Sequence, residues 1–481
     1  MLYFKKFFLF FISVVLVSAA HCQQKQARLS EIMKAYHGYN MFDGAVLVAD
    51  SGKIIYKEAF GLANREWNIP NAIDTKFMIG SVSKPLTAVL MLIQIQKGLI
   101  RLDGGIEDYL IEFKNKPAGK VNIKQLLNHT SGIPNYDIIK DFFPVVSRQQ
   151  FSRQAYVKNF IDSSLAFTPG SHYAYSSWGY FLLGYIMERV TKKDYAQLMA
   201  ADIFNKIGMN NSGSYYHTQI VSNRATGYDY NFGGYTSADF RDQSNTMGTG
   251  DIYSTVEDLF KFHMALQNNA LLNKALTDSM FASGIELAQY GFGWFNKQYK
   301  ISNTKVVASN FHLGMTEGFI SFIRRVPSSN SLAVILCNSS PTDFFGITNN
   351  LYKVLYNEPV VLKQPVHKKM EILINKIGIK EAVIEYENMK NDTAKFYIDW
   401  ISMNFIAQQL LTLKRTEDAK VLSEKNLKFF PDKDLILVTM GNIYQELDRK
   451  EDALDCYKKA LLINPMYEEA KSKIKAMSNG N

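Results

Sequence analysis

Residues 44–61 read Gly-Ala-Val-Leu-Val-Ala-Asp-Ser-Gly-Lys-Ile-Ile-Tyr-Lys-Glu-Ala-Phe-Gly. Two β-rich runs flank Ser51-Gly52, and that pattern predicts a hairpin. After it, Ser83 to Lys97 is apolar and mostly unbranched, and Gly98 follows; this is the signature of a buried helix with a glycine stop. Further helices are predicted at Ile123–Leu127, Trp178–Val190, Tyr195–Ile203 and Thr255–Gln267. Strands return only late, at Phe319–Val326 and Leu332–Cys337. Strands at both ends with helices between them predict an α+β domain whose sheet joins its two ends.

Composition bounds what else the chain can be. With 481 residues, 47% hydrophobic and 21% charged, it is an ordinary globular sequence, and wholesale disorder is excluded. The formal charge of +9 has no focus. From 366 to 481 there are 19 basic and 18 acidic residues, so the tail is balanced and no nucleic-acid-binding stripe is visible.

The N-terminus reads as an export signal over 1–22. Lys5 and Lys6 precede an apolar stretch, Phe7 to Val17, and small residues follow at Ser18, Ala19 and Ala20. Cleavage is expected after Ala20 or Cys22. A lipoprotein anchored through Cys22 is the less favoured reading, because His21 stands where a small residue is wanted. The expected location is periplasmic or secreted, with no membrane span once the signal is removed. Cys337 and Cys456 are too few and too scattered for a disulfide framework. No Cys/His cluster has metal-ligand spacing, so neither a metal nor a cofactor is expected.

Around 358–370, Pro359 and Pro365 punctuate a stretch with few apolar anchors, which is read as a linker between a body (27–357) and a helical tail (371–481). The tail repeats with a period of 34. Ala407 aligns with Gly441, Ala419 with Ala453, and Pro431 with Pro465; the second copy adds Tyr444, Tyr457, Ala460 and Leu461. This resembles the tetratricopeptide repeat, in which small residues let paired helices approach and a proline closes the second helix. An earlier, degenerate helix pair is expected from near Ala382. So short an array needs neighbours to cover its faces, which implies a protein partner or packing on the body.

Three segments of the body carry chemistry. The first is Ser81-Val-Ser-Lys84. A serine hydroxyl needs a base to act as a nucleophile, and a lysine three residues on shares its helix face. A serine at a helix start also offers its own N–H to a developing oxyanion. The second is Tyr173-Ala-Tyr175-Ser-Ser177, after the turn Phe167-Thr-Pro-Gly170. A tyrosine beside a lysine ammonium is expected to have a lowered pKa and to act as a base. The third is His312-Leu-Gly-Met-Thr-Glu-Gly-Phe319, where a glycine permits close backbone approach.

Together these segments, in order and spacing, resemble the serine β-lactamase and penicillin-binding-protein superfamily, in its class C β-lactamase, D-alanyl-D-alanine carboxypeptidase and esterase branch. The resemblance covers roughly residues 27–350. It extends to Asp74-Thr-Lys-Phe, Leu126-Leu-Asn-His-Thr-Ser-Gly-Ile-Pro134 and Gly248-Thr-Gly-Asp-Ile-Tyr-Ser-Thr-Val-Glu-Asp258. It implies a β-lactamase/transpeptidase-like fold. It implies Ser81 as the acylated nucleophile, Lys84 as its activating partner and Tyr175 as general base and acid. Ser177, His312, Gly314 and Met315 are then the substrate-binding positions, with an oxyanion hole made by the N–H groups of Ser81 and Met315. The implied activity is that of an exported serine hydrolase acting on a D-amino-acid peptide, a β-lactam or a small ester. The alternative is a catalytically silent receptor or envelope scaffold that works through its tail.

Two positions depart from the family. Ser177 stands where the family has Asn, and His312 where it usually has a permanently charged Lys. The literal Tyr386-Glu-Asn388 lies far away in the tail and is read as coincidence. His129 is expected to hold a loop under the site, and Asp251 and Glu317 to organise loops.

Overall fold

The computed structural model describes residues 23–161, 164–232, 234–282, 289–339 and 343–478. The expected export segment, with Cys22, lies outside them. The chain forms two compact units. The first runs to His37 and then takes in Phe42–Asp229 and Ser237–Val360; the second comprises Gly38–Met41, Tyr230–Thr236 and the chain from Val361 onward.

The first unit is built on a six-stranded antiparallel sheet drawn from both ends of its sequence. The hairpin is strand β1 (Gly44–Asp50) and strand β2 (Lys53–Phe60), joined at Ser51 and Gly52. Both joining residues have positive φ, the conformation that two-residue hairpins favour. Helix α1 (Ser83–Gln96), helix α2 (Ser177–Thr191) and helix α3 (Val256–Gln267) follow. The chain then returns as strands β3 (Phe295–Lys300), β4 (Val306–Thr316), β5 (Phe319–Val326) and β6 (Ser331–Cys337), followed by helix α4 (Phe344–Leu355). The order across the sheet is β3-β4-β5-β6-β1-β2. Pairing of Gly44 through Ala49 with Cys337 through Leu332 closes the two ends together.

Burial explains why these strands were legible. Every residue of β6 is buried, and so are Gly44–Ala49 of β1. A strand covered on both faces reads as a continuous apolar run. Neighbouring strand residues point to opposite faces, and β5 shows what covers each. The Arg325 guanidinium donates to Gln267 of α3 (2.9 Å). Arg324 lies on the other face over the Tyr299 ring, which packs against Tyr352 of α4. Strands β3 and β4 were not predicted, because β3 is largely exposed and β4 carries Ser, Asn, His and Gly among its apolar residues. His312 therefore lies inside an 11-residue strand rather than in a loop leading to one.

Among the described residues of the second unit seven helices follow one another: α5 (Val366–Ile377), α6 (Ile379–Asn391), α7 (Trp400–Thr412), α8 (Thr416–Phe429), α9 (Asp434–Glu446), α10 (Lys450–Ile463) and α11 (Glu468–Ser478). The aligned small residues Ala407, Ala419, Gly441 and Ala453 fall on α7 to α10, and Pro431 and Pro465 follow α8 and α10. The two units divide within the stretch read as a linker, and α5 already begins at Val366. Phe232, from the inserted segment 230–236, is buried in this unit's core, and its N–H donates to Gln409 (3.0 Å).

Helix α1 is the centre of the first unit's core; every side chain from Ser83 to Gln94 is buried. Replacing the fully buried Leu90 by Ala is expected to lower stability by about 2–5 kcal/mol in urea melts. A loss below about 1 kcal/mol would contradict this placement.

Candidate active site

A short strand, Phe77–Met78, pairs with Ile252–Ser254 and delivers the chain to a 3₁₀ turn, Gly80–Val82, that leads directly into α1. Ser81 occupies this turn and Lys84 the first turn of α1. The Lys84 ammonium donates to Ser81 Oγ at 2.9 Å and to the Thr249 carbonyl at 3.0 Å. Lys84 is wholly buried. Burial pushes its pKa well below the ordinary lysine value, the nearby Arg241 charge pushes the same way, and Asp251 opposes them. A neutral amine has two N–H donors and one lone pair. With Thr249 accepting one N–H, the lone pair can take the Ser81 proton.

The strand behind this turn is β4. Ser321 of the adjacent β5 donates to the Ile79 carbonyl (2.6 Å) and ties the turn to the sheet. A Cβ on Gly314 would lie 2.0 Å from that same carbonyl and 3.0 Å from the Ser81 nitrogen. Gly80 has φ +47, and a Cβ there would lie 2.9 Å from the Met315 nitrogen. The backbones of residues 80–81 and 314–315 meet only because neither glycine has a side chain. That contact makes the N–H groups of Ser81 and Met315 neighbours, while the Met315 side chain points into solvent.

Tyr175 is brought in by a pinned loop. The Ala174 N–H donates to the His129 carbonyl (3.0 Å), and the Ser176 N–H donates to His129 Nδ1 (3.1 Å). The Tyr175 ring packs on His129, with centroids 4.3 Å apart, and Lys84 Nζ lies 4.9 Å from the Tyr175 centroid. Burial raises the Tyr175 phenol pKa, and a hydrogen bond with Ser81 only partly offsets this. The expected lowering by a neighbouring lysine is not found. Burial governs instead, and Tyr175 favours its protonated form.

Ser177 opens α2, where its N–H is one of the donors that a helix start leaves without a helical partner. It donates to Asn135 Oδ1 (3.0 Å). Ser176, not Ser177, caps the helix: its Oγ accepts from Gly179 N–H (3.2 Å) and donates to the Pro134 carbonyl (2.9 Å).

His312, the expected substrate-binding position, lies on β4. It is 1% exposed. Nδ1–H donates to the Leu313 carbonyl (2.8 Å), and Nε2 accepts from the Tyr290 hydroxyl (3.0 Å). Burial, with Lys84 nearby, pushes its pKa down to about 3. It is neutral with both nitrogens engaged, so it offers a substrate carboxylate neither charge nor donor.

Sequence reasoning missed Thr249, Tyr290 and Arg241. Thr249 acts through a carbonyl, which carries no residue signature. Tyr290 is one of 27 tyrosines. Arg241 lies against the rings of Tyr136, Phe142 and Phe143 and 3.6 Å from Glu317, in a segment without a motif. Among the described residues no group of acidic, His or Cys side chains is arranged to hold a metal ion.

Asp251 accepts from Gly248 N–H (2.8 Å) and so holds the turn that presents Thr249 to Lys84. Burial raises its pKa to about 6. The fold favours its protonated form, so this contribution to stability is full below about pH 4 and is lost as pH rises through 6. Asp251→Asn keeps the acceptor and removes the titration. Relative to the variant, the parent protein is expected to lose about 3 kcal/mol between pH 4 and pH 7.5 in urea melts. Parallel pH profiles for the two proteins would contradict this.

The Beta-lactamase family model matches residues 27–358, and the Tetratricopeptide repeat model matches 435–467. Penicillin-binding protein 4* of Bacillus subtilis is 27% identical over 373 residues, covering 73% of this chain and 81% of that protein. The crystal structure of a penicillin binding protein from Bacillus halodurans superposes with a TM-score of 0.59 at 24% identity, over 68% of this chain and 98% of that one. The D-amino acid amidase of Ochrobactrum anthropi SV3 gives a TM-score of 0.59 at 20% identity, over 69% and 99%. With its sheet closed from both ends and a serine–lysine pair at the start of a buried helix, this chain belongs to the β-lactamase family and carries a C-terminal tetratricopeptide repeat.

Proposed function

We propose that this protein is an exported serine hydrolase that works through an acyl-enzyme on Ser81. The observation that carries the proposal is the 2.9 Å contact between Ser81 Oγ and a lysine whose charge is suppressed by burial. Lys84 takes the Ser81 proton as Oγ attacks the carbonyl. The oxyanion rests on the N–H groups of Ser81 and Met315. Tyr175 gives its proton to the leaving group and is reprotonated by way of Lys84. Water, activated by the same pair, then releases the acyl group.

The substrate is an amide or ester. A peptide of D-amino acids, a β-lactam and a small ester all fit the chemistry, and the names of the relatives support the first two. The neutral, fully engaged His312 favours substrates that need no carboxylate contact at that position. Export rests on residues 1–22; among the described residues no helix is long and apolar enough to cross a membrane. The tetratricopeptide repeat supports a protein partner for the tail. A receptor that binds such ligands without turnover is the competing reading.

Intact-mass spectrometry with a fluorescent penicillin, and hydrolysis of p-nitrophenyl esters, test the proposal. Ser81→Ala is expected to abolish both adduct and turnover while leaving the melting temperature unchanged. Turnover that survives in this variant would end the proposal, and absence of both in the parent protein would favour the receptor. Tyr175→Phe is expected to lower kcat by about 10²–10⁴. Because the reactive form has neutral Lys84, kcat/KM is expected to rise with pH through a value well below the ordinary lysine range. A rise confined to about pH 10 and above would contradict the role of Lys84.

A further inference from the structure

The last helices of the tail frame a groove of about 670 Å³ between α8 and α10. Its floor is α9, through Leu437, Met440 and Tyr444. The sequence explains the opening. The tetratricopeptide pattern Trp-x-x-Leu-Gly-x-x-Tyr puts Met440, Gly441 and Tyr444 at its last three fixed positions, and Leu437 where it has Trp. A leucine is much smaller than an indole, so space that the pattern fills from the floor is left open here.

An apolar plug lies on the groove's own rim. Leu462 and Ile463 end α10 there, 84% and 44% exposed. Removing such side chains from water is favourable. The charges along the groove are ordered. Partial burial raises the Tyr444 pKa, and Glu424 and Asp452, close by, push the same way. Asp455 follows Asp452 on α10, Lys459 lies a turn further toward Leu462, and Lys428 lies a turn beyond Glu424 on α8. The groove is thus acidic at its Tyr444 end and basic toward its Leu462 end. Asp455 pairs with Lys459 at 2.6 Å and Asp452 with Arg449 at 2.7 Å, but all four side chains are about half-exposed, where such pairs are weak and hold their charges loosely.

We propose that the α8–α10 groove is a self-association surface: in a two-fold pair of chains, Leu462 and Ile463 of each copy enter the groove of the other. A two-fold interface uses the same patch on both copies, so the patch must fit itself. This one carries both the apolar plug and the apolar groove that receives it. With the two α10 helices antiparallel, the acidic end of each groove meets the basic end of the other. A parallel pairing would set like charges together. A second copy is therefore the neighbour that so short a repeat array needs. The pairing names the partner of the tail and does not depend on the hydrolase chemistry.

Sedimentation velocity of the protein from about 1 to 100 μM tests this. The sedimenting mass is expected to rise from one chain to two across that range. Leu462→Glu, at a side chain too exposed to matter to the fold, is expected to move the midpoint at least tenfold higher with the melting temperature unchanged. Leu437→Trp supplies the side chain of the repeat pattern and fills the groove from its floor. It is expected to weaken pairing as much, with a melting temperature no lower than the parent's. If Leu437→Trp melts lower, Leu462→Glu decides alone. A single-chain mass at every concentration would overturn the proposal. So would a dimer whose midpoint ignores Leu462→Glu, because the contact would then lie elsewhere. Neither result touches the Ser81 reaction, which the Ser81→Ala assay decides separately.

Discussion

A lysine amino group with no exposure to water is held against a serine hydroxyl, and the rest of the site follows from that constraint. Lys84 sits in the first turn of a helix whose next ten residues are all buried, so it has no route to solvent. Its only polar contacts among the described residues are Ser81 Oγ and the Thr249 carbonyl. Neither is an anion. Burial favours the neutral amine, against the opposing charge of Asp251. His129 is buried beside it, and Tyr175 is half-buried. Both are disfavoured as ions, tyrosine keeping its proton and histidine remaining uncharged. Burial thus disfavours charge on all three groups.

The scaffold serves this by bringing distant segments to one point. Serine and lysine come from residues near 80, the tyrosine from near 175, the Thr249 carbonyl from a turn held by Asp251, and the Met315 N–H from β4. Pairing of β1 with β6 closes the sheet, and β4 and β5 then present a rigid backbone behind the nucleophile turn. Gly314 and Ser321 act together there: one leaves room for the Ile79 carbonyl, and the other donates to it.

Much of this was legible in sequence where physics leaves a strong local mark. The hairpin showed because Ser51-Gly52 separates two β-rich runs. β6 showed because a strand buried on both faces is a continuous apolar run, and α1 because its residues are apolar throughout. Strand β4 did not show, because Ser309, Asn310, His312 and Gly314 interrupt its apolar residues. The serine–lysine pair was legible from spacing and flanks. The protonation states were not. Spacing cannot report burial, and burial reverses the simple expectation that a lysine neighbour lowers the Tyr175 pKa. His312 shows the same limit: from sequence it is a polar group free to meet substrate, whereas in the fold Tyr290 and its own neighbour's carbonyl occupy both its nitrogens.

The central claim is that burial lowers the Lys84 pKa well below that of an ordinary lysine. The most direct measurement is an NMR titration of the lysine side chains in 13C-labelled protein, with the Lys84 resonance identified by its loss in Lys84→Arg. The account predicts a Lys84 midpoint well below that of the solvent-exposed lysines in the same spectrum. A midpoint equal to theirs, or above it, would mean that Lys84 is a resident cation, and another group would then have to take the proton from Ser81.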